Sequence, residues 1–158
     1  MKKAIIFGMC LLLCAGCARM GGDADTVIVW HWMTDRDEAF RTLAERYEAE
    51  TGQAVRFELY APSELFAQKV RGAIQSNTLP DIYGVLGETR DFASFVQSGY
   101  IHNLTAAMQS NEGAWEGSFF RKALEVNRFT ADNAHGVPAG IYGVPLDVMT
   151  IQLVYNKR

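Results

Sequence analysis

The sequence has 158 residues, enough for one ordinary domain. Its apolar content of 49% and charged content of 21% are those of a globular chain and exclude an intrinsically disordered one. A pI near 5.6, with no cluster of lysine or arginine, argues against a nucleic-acid partner.

At the amino terminus, Lys2 and Lys3 precede the apolar run Ala4 to Leu13. That run has the length of a signal-peptide core and is too short to span a bilayer as a mature helix. The segment Leu13-Cys14-Ala15-Gly16-Cys17 follows, and its small residues before a cysteine resemble the bacterial lipobox. Cys14 departs from the pattern, which usually has leucine there. The resemblance implies a leader over 1–16, cleavage before Cys17 and a diacylglycerol on its sulfur. A plain secretory leader cut nearby is the competing reading. Residues 17–25, with Gly21 and Gly22, read as a flexible tether between membrane and domain. All three cysteines, Cys10, Cys14 and Cys17, belong to this region, so the folded part has neither disulfides nor a cysteine metal site. Loss of the leader removes two of the 15 basic side chains and none of the 18 acidic ones.

The run Val27 to Trp30 is continuously apolar with three β-branched residues, the pattern of a strand covered on both faces. His31, Trp32, Met33 and Thr34 make a short loop into a helix over 35–50. Thr34 or Asp35 can cap that helix, and Glu38 completes a capping-box spacing with Asp35. Phe40, Leu43, Ala44 and Tyr47 form its apolar stripe, and Gly52 suits the left-handed residue that ends it. In open α/β sheets, such a turn at the carboxyl end of a strand is where ligands sit.

Ala54 to Tyr60 alternates Val55, Phe57 and Leu59 with Arg56 and Glu58, as expected of a strand nearer the sheet edge. Pro62 stops it. Ser63 can cap the next helix, whose buried face is Leu65, Phe66, Val70, Ala73 and Ile74. Pro80 forces extended backbone before a short strand over 82–85. Gly87-Glu88-Thr89 is the next strand-to-helix turn. The following helix carries Phe92, Phe95 and Val96 and closes at Ser98-Gly99.

The order β-α-β-α-β-α implies parallel strands with helical crossovers. Residues 105–135 are less regular, with a helix expected inside 119–129 and a polar turn at 131–136. Gly136-Val137-Pro138 and Gly143-Val144-Pro145 repeat a tripeptide, read as two rims of a hairpin or loop. Thr150 to Tyr155 alternates again and is expected to be a last strand. Asn156-Lys157-Arg158 follows it with no closing helix, which suggests the front part of a longer protein.

Several segments taken together resemble a known family. They are Leu79-Pro80-Asp81-Ile82, Gln97-Ser98-Gly99-Tyr100-Ile101, Tyr142-Gly143-Val144-Pro145-Leu146-Asp147, Leu153-Val154-Tyr155-Asn156-Lys157 and Trp30-His31-Trp32. Their order and spacing resemble the extracellular solute-binding proteins of bacterial ABC importers, family 1, from Thr26 to Lys157. The resemblance implies an α/β fold of periplasmic-binding-protein type II-like lobes, with a mostly parallel sheet and helices on both faces. Residues 26–158 would supply most of the first lobe and none of the second. It implies a receptor rather than an enzyme, without cofactor. A small polar solute, most readily a sugar or oligosaccharide, would bind between lobes that close by a hinge. The closed form would dock on permease subunits, at the extracytoplasmic face of a bacterial membrane. An envelope lipoprotein of the same fold, using its solute as a signal, is the alternative.

Sugars stack on aromatic rings and hydrogen-bond to charged or amide groups. On that chemistry Trp32, His31, Thr34, Asp35 and Tyr60 are candidate ligand residues, and the resemblance implies Glu88, Asp147, Met149 and Thr150 as further ones. Trp32 divides between site and core, and Trp30 reads as core. His31 is open to ligand or turn, Thr34 and Asp35 to ligand or cap, and Glu88 to ligand or a first-turn acid favoured by the helix dipole. Asp81 reads as structural. His31, Asp35, Asp37 and Glu38 match no specific zinc spacing, and no Gly-x-Ser-x-Gly elbow is present.

Overall fold

A computed structural model describes residues 25–147. They form two compact units, one ending at Gly84 and the other beginning at Val85. The leader, Cys17 and the expected strand Thr150 to Tyr155 lie outside the described residues.

The first unit is a three-stranded sheet with helices on both faces. β1 (Val27–His31) is central, with β2 (Val55–Leu59) on one side and β3 (Ile82–Tyr83) on the other. Both pairings are parallel, with Trp30 opposite Glu58 and also opposite Tyr83. The expected α/β class and parallel order are those observed, and β2 is an edge strand among the described residues. β3 is only two residues long, shorter than its sequence suggested. Its start is secured differently: Asp81 Oδ2 accepts a hydrogen bond from Ile28 N at 2.8 Å, one register step before Ile82.

Side chains alternate between faces along a strand, and this sorts the core. His31 and Phe57 face α1 (Asp37–Thr51), where Phe40 stacks on Phe57 at 4.9 Å and 9°. Trp30, Trp32, Glu58 and Tyr60 face α2 (Ser63–Ser76). From α2, Phe66 packs on Trp32 with ring centroids 5.1 Å apart. Phe66 is fully buried, and Val70 and Ala73 continue its inner face.

Both helix starts differ from the expected caps. Arg36 is the residue before α1, and among the described residues no side chain caps it; Phe40 N donates instead to Arg36 O at 2.9 Å. Thr34 and Asp35 stay exposed. The first turn is held by Asp37, which reaches both β1 and Arg41, so a cap is replaced by side-chain anchoring. Pro62, not Ser63, precedes α2, and Ser63 is its first helical residue. Gly52 ends α1 at φ 76°, with its N–H on Glu48 O, as its sequence position indicated. The α1 stripe is only partly covered: Ala44 is buried, whereas Leu43 and Tyr47 are about half exposed. α1 packs on the edge strand, and the far side of its stripe overhangs it.

The second unit contains α3 (Thr89–Gln97), α4 (Thr105–Gly117), α5 (Arg121–Glu125) and an antiparallel pair, β4 (Arg128–Phe129) with β5 (Gly140–Ile141). α4 is interrupted at Ser110–Gly113, where Asn111, Glu112 and Gly113 all have positive φ. Ala93 and Val96 of α3 pack with Phe129, Val137 and Tyr142, and Met108, Leu124 and Ile141 form a second cluster. The polar turn between β4 and β5 is organised by Asn133. Its Oδ1 accepts from His135 N and Val137 N, each at 3.1 Å, and its Nδ2 donates to Thr130 O and Val137 O. The repeated tripeptides are not matched rims. The first lies in the connection, with Val137 buried, and the second follows β5.

Candidate functional site

The carboxyl ends of β1 and β2 carry a dense group of aromatic and charged side chains. Trp30 is buried and meets Tyr60 edge-on at 5.2 Å. Glu58 lies beside them and accepts from Trp30 Nε1 at 2.9 Å and from the Tyr60 hydroxyl at 2.7 Å. Arg56 Nε reaches the other carboxylate oxygen at 3.3 Å. The Lys69 ammonium, from α2, sits 4.1 Å from the ring centres of both Trp30 and Tyr60. A cation over two ring faces is attracted by both quadrupoles.

The electrostatics follow from these contacts. The Tyr60 hydroxyl, chiefly, holds the Glu58 carboxyl below its usual range, against the opposing effect of burial. Burial, followed by the Glu58 hydrogen bond, pushes the Tyr60 phenol up to about 12. Burial alone does the same to Tyr83. Glu58 is therefore a fixed anion with its donors already in place.

Beyond Trp30 the chain turns. Trp32 is half-buried and lies on Phe66. Its ring also fills the space beside Gly84, where a Cβ would collide with Cζ3. Thr34 and Asp35 are exposed on the same turn, with Asp35 3.6 Å from Arg36. His31 points to the other face and is only 3% exposed. It lies beneath the turn, on the face that α1 covers. Trp32, Thr34 and Asp35 thus share the turn after β1, with His31 beneath it, and Tyr60 follows β2 and packs on Trp30.

Glu88 and Asp147 belong to the second unit, and both are exposed. Glu88 precedes α3 with extended backbone and accepts from Asp91 N at 2.9 Å through its carbonyl. Its side chain makes no cap bond among the described residues. Met149 and Thr150 lie outside the described residues. A cavity of about 340 Å³ in the second unit is bordered by Thr89, Glu125, Arg128, Phe129 and His135. Arg128 there is paired with Glu116, and Glu125 with Arg121, so its charges serve internal contacts.

The pattern described as Bacterial extracellular solute-binding protein matches residues 30–158. The chain belongs to that family. No curated protein matches this extracellular solute-binding protein. Among solved structures it is similar to the ABC transporter associated binding protein from B. animalis subsp. lactis Bl-04, solved in complex with beta-1,6-galactobiose. Identity is 19% and the TM-score 0.44, over 61% of this chain and 24% of that one. It is also similar to the GacH receptor of Streptomyces glaucescens GLA.O, solved unliganded and with acarbose and an acarbose homolog. Identity is 24% and the TM-score 0.48, over 66% of this chain and 26% of that one. The chain spans about a quarter of the length of these structures.

Two residues of this solute-binding protein's strand-end group were not singled out in its sequence. Glu58 reads there as the polar half of an alternating strand, and Lys69 lies between the apolar positions Phe66 and Val70 of the helix. The available signal was parity. Glu58 shares a strand phase with Tyr60, and Lys69 follows Phe66 by three positions, on the inner face of α2.

Proposed function

We propose that this chain is part of the receptor of an ABC importer, which captures a sugar or oligosaccharide and delivers it, chemically unchanged, to a membrane permease. The family match through residues 30–158 carries the reading. Residue chemistry supports it: a tryptophan, a hydroxyl and a carboxylate occupy the turn after the central strand. That is the crevice position favoured for ligands in open α/β sheets. Trp32 is the stacking platform. Thr34, Asp35, Tyr60, Glu88, Asp147, Met149 and Thr150 are the candidate polar and packing contacts, and His31 is a positioning residue. Cys17 carries the lipid that holds the receptor at the extracytoplasmic face of the membrane.

A thermal-shift screen of full-length protein against sugars tests the reading, because a ligand bound only by the folded state raises the melting temperature. At least one sugar is expected to do so, to be recovered intact, and to lose its effect with Trp32→Ala. Absence of any shift, or conversion of the sugar, overturns it. Lipidation is checked by mass spectrometry of the mature amino terminus, where Cys17→Ser should abolish the acyl mass.

A further inference from the structure

The first unit buries a histidine whose ring approaches one carboxylate without an aligned hydrogen bond. His31 is 3% exposed at the end of β1. Phe40 of α1 meets its ring edge-on at 5.0 Å and Phe57 of β2 at 5.8 Å. Among the described residues, neither ring nitrogen makes an aligned hydrogen bond, and neither does Asp37 Oδ1. Yet Nε2 and Oδ1 are only 3.2 Å apart. Such buried, unsatisfied polar atoms are uncommon in folded proteins and call for an explanation.

The charged groups facing the imidazole are Asp37 and Arg41, both from α1. From β2 it meets Phe57 and its register partner Leu59, which carry no charge. Asp37 Oδ2 is already committed to Arg41 Nε at 2.9 Å. A proton on His31 would therefore put a cation among apolar rings, beside one carboxylate shared with an arginine. Burial, outweighing the pull of Asp37, holds its pKa below the ordinary histidine value. The packed arrangement favours the neutral ring. For a charged ring to regain water, the first turn of α1 would have to lift from β1. Residues 32–36 are the whole connection between those elements, so they move with it.

We infer that His31 is a proton-operated latch: neutral, it lets α1 seat on β1 and holds Trp32, Thr34 and Asp35 in place, and protonated, it frees that turn and weakens solute capture. The second half rests on the proposed receptor reading; the first does not.

Hydrogen exchange of segment 32–37 in full-length protein tests the latch without any solute. Between about pH 7.5 and about pH 5.5, across the histidine range, protection corrected for intrinsic rate should fall severalfold, with about tenfold as the upper limit. His31→Phe and His31→Gln should each hold it constant, so that one suffices if the other fails to fold. Affinities for glucose, maltose and raffinose are then measured over the same range. Those that bind should weaken by the same factor in the parent and less than about twofold in the variant. Unchanged protection in the parent, or the same pH response in both variants, overturns the latch. A protection change without an affinity change overturns its role in capture. If protection follows pH but no sugar binds at any pH, the latch stands and the receptor reading falls.

Discussion

The ring of Trp32 occupies the volume that a side chain at Gly84 would need. β3 ends one residue before Gly84, whose N–H donates to Trp30 O at 3.2 Å. Backbone pairing thus holds the glycine against the turn that carries the proposed stacking platform. Gly84→Ala should displace the indole and destabilise the protein by about 1–3 kcal/mol, the usual cost of overpacking. A loss of sugar response exceeding the loss of stability, with altered tryptophan emission, is the expected outcome. Chemical denaturation and fluorescence measure both.

Acid should weaken the first unit through Glu58. Its carboxyl titrates lower when folded than unfolded, chiefly through the Tyr60 hydroxyl. Its stabilisation is therefore complete above the unfolded value and is lost as pH falls through the folded one. Asp37, held down mainly by its hydrogen bond to Arg41, acts in the same direction. Urea midpoints should fall from about pH 5 to about pH 2, and Glu58→Gln should flatten that fall. An equally steep profile in the variant would remove Glu58 from the account.

Lys69 allows a separate test of the ring seat. Lys69→Met keeps an apolar stem over Trp30 and Tyr60 but removes the cation. It should cost about 0.5–2 kcal/mol in chemical denaturation, the range for a partly desolvated cation–π contact. Lys69→Arg should retain most of the stability, because a guanidinium also stacks on aromatic faces.

In the second unit, Asn133→Ala removes the four side-chain hydrogen bonds that Asn133 makes within the turn between β4 and β5. Several main-chain groups then lose a partner, two of them on Val137, so a loss of about 1–3 kcal/mol is expected. Hydrogen exchange at His135 and Val137 should rise well before that at Ala93 or Val96 of α3. Uniform exchange across the unit would show that the turn is not a local element.

The central parts of the fold were legible because each had one dominant signal. Three β-branched residues in a row marked β1, and alternation marked β2 as nearer the edge, where it lies among the described residues. Gly52 marked the end of α1. What escaped reading depended on contacts between elements. No local pattern says that Asp37 anchors its helix to His31 in place of a cap at Thr34 or Asp35. α4 leaves no continuous period in the sequence, because Asn111 to Gly113 interrupt it with left-handed backbone. β3 has only two residues, and no local pattern shows that the Trp32 ring fills the place of a side chain at Gly84 just beyond it. At the site, sequence chemistry picked out Trp32 and Tyr60. It passed over Glu58 and Lys69, whose neighbours are defined only once strand phase meets helix phase.

The bond from Ile28 N to Asp81 Oδ2 has a consequence for how the first unit tolerates change. A two-residue strand has too few rungs to fix its own alignment, so the carboxylate acts as an index pin for the edge. Extra residues upstream of Asp81 only lengthen the link from α2. One extra residue between Asp81 and Gly84 would turn Tyr83 to the opposite face and bring a bulky group against the indole. Length variation is thus free on one side of a single aspartate and forbidden on the other.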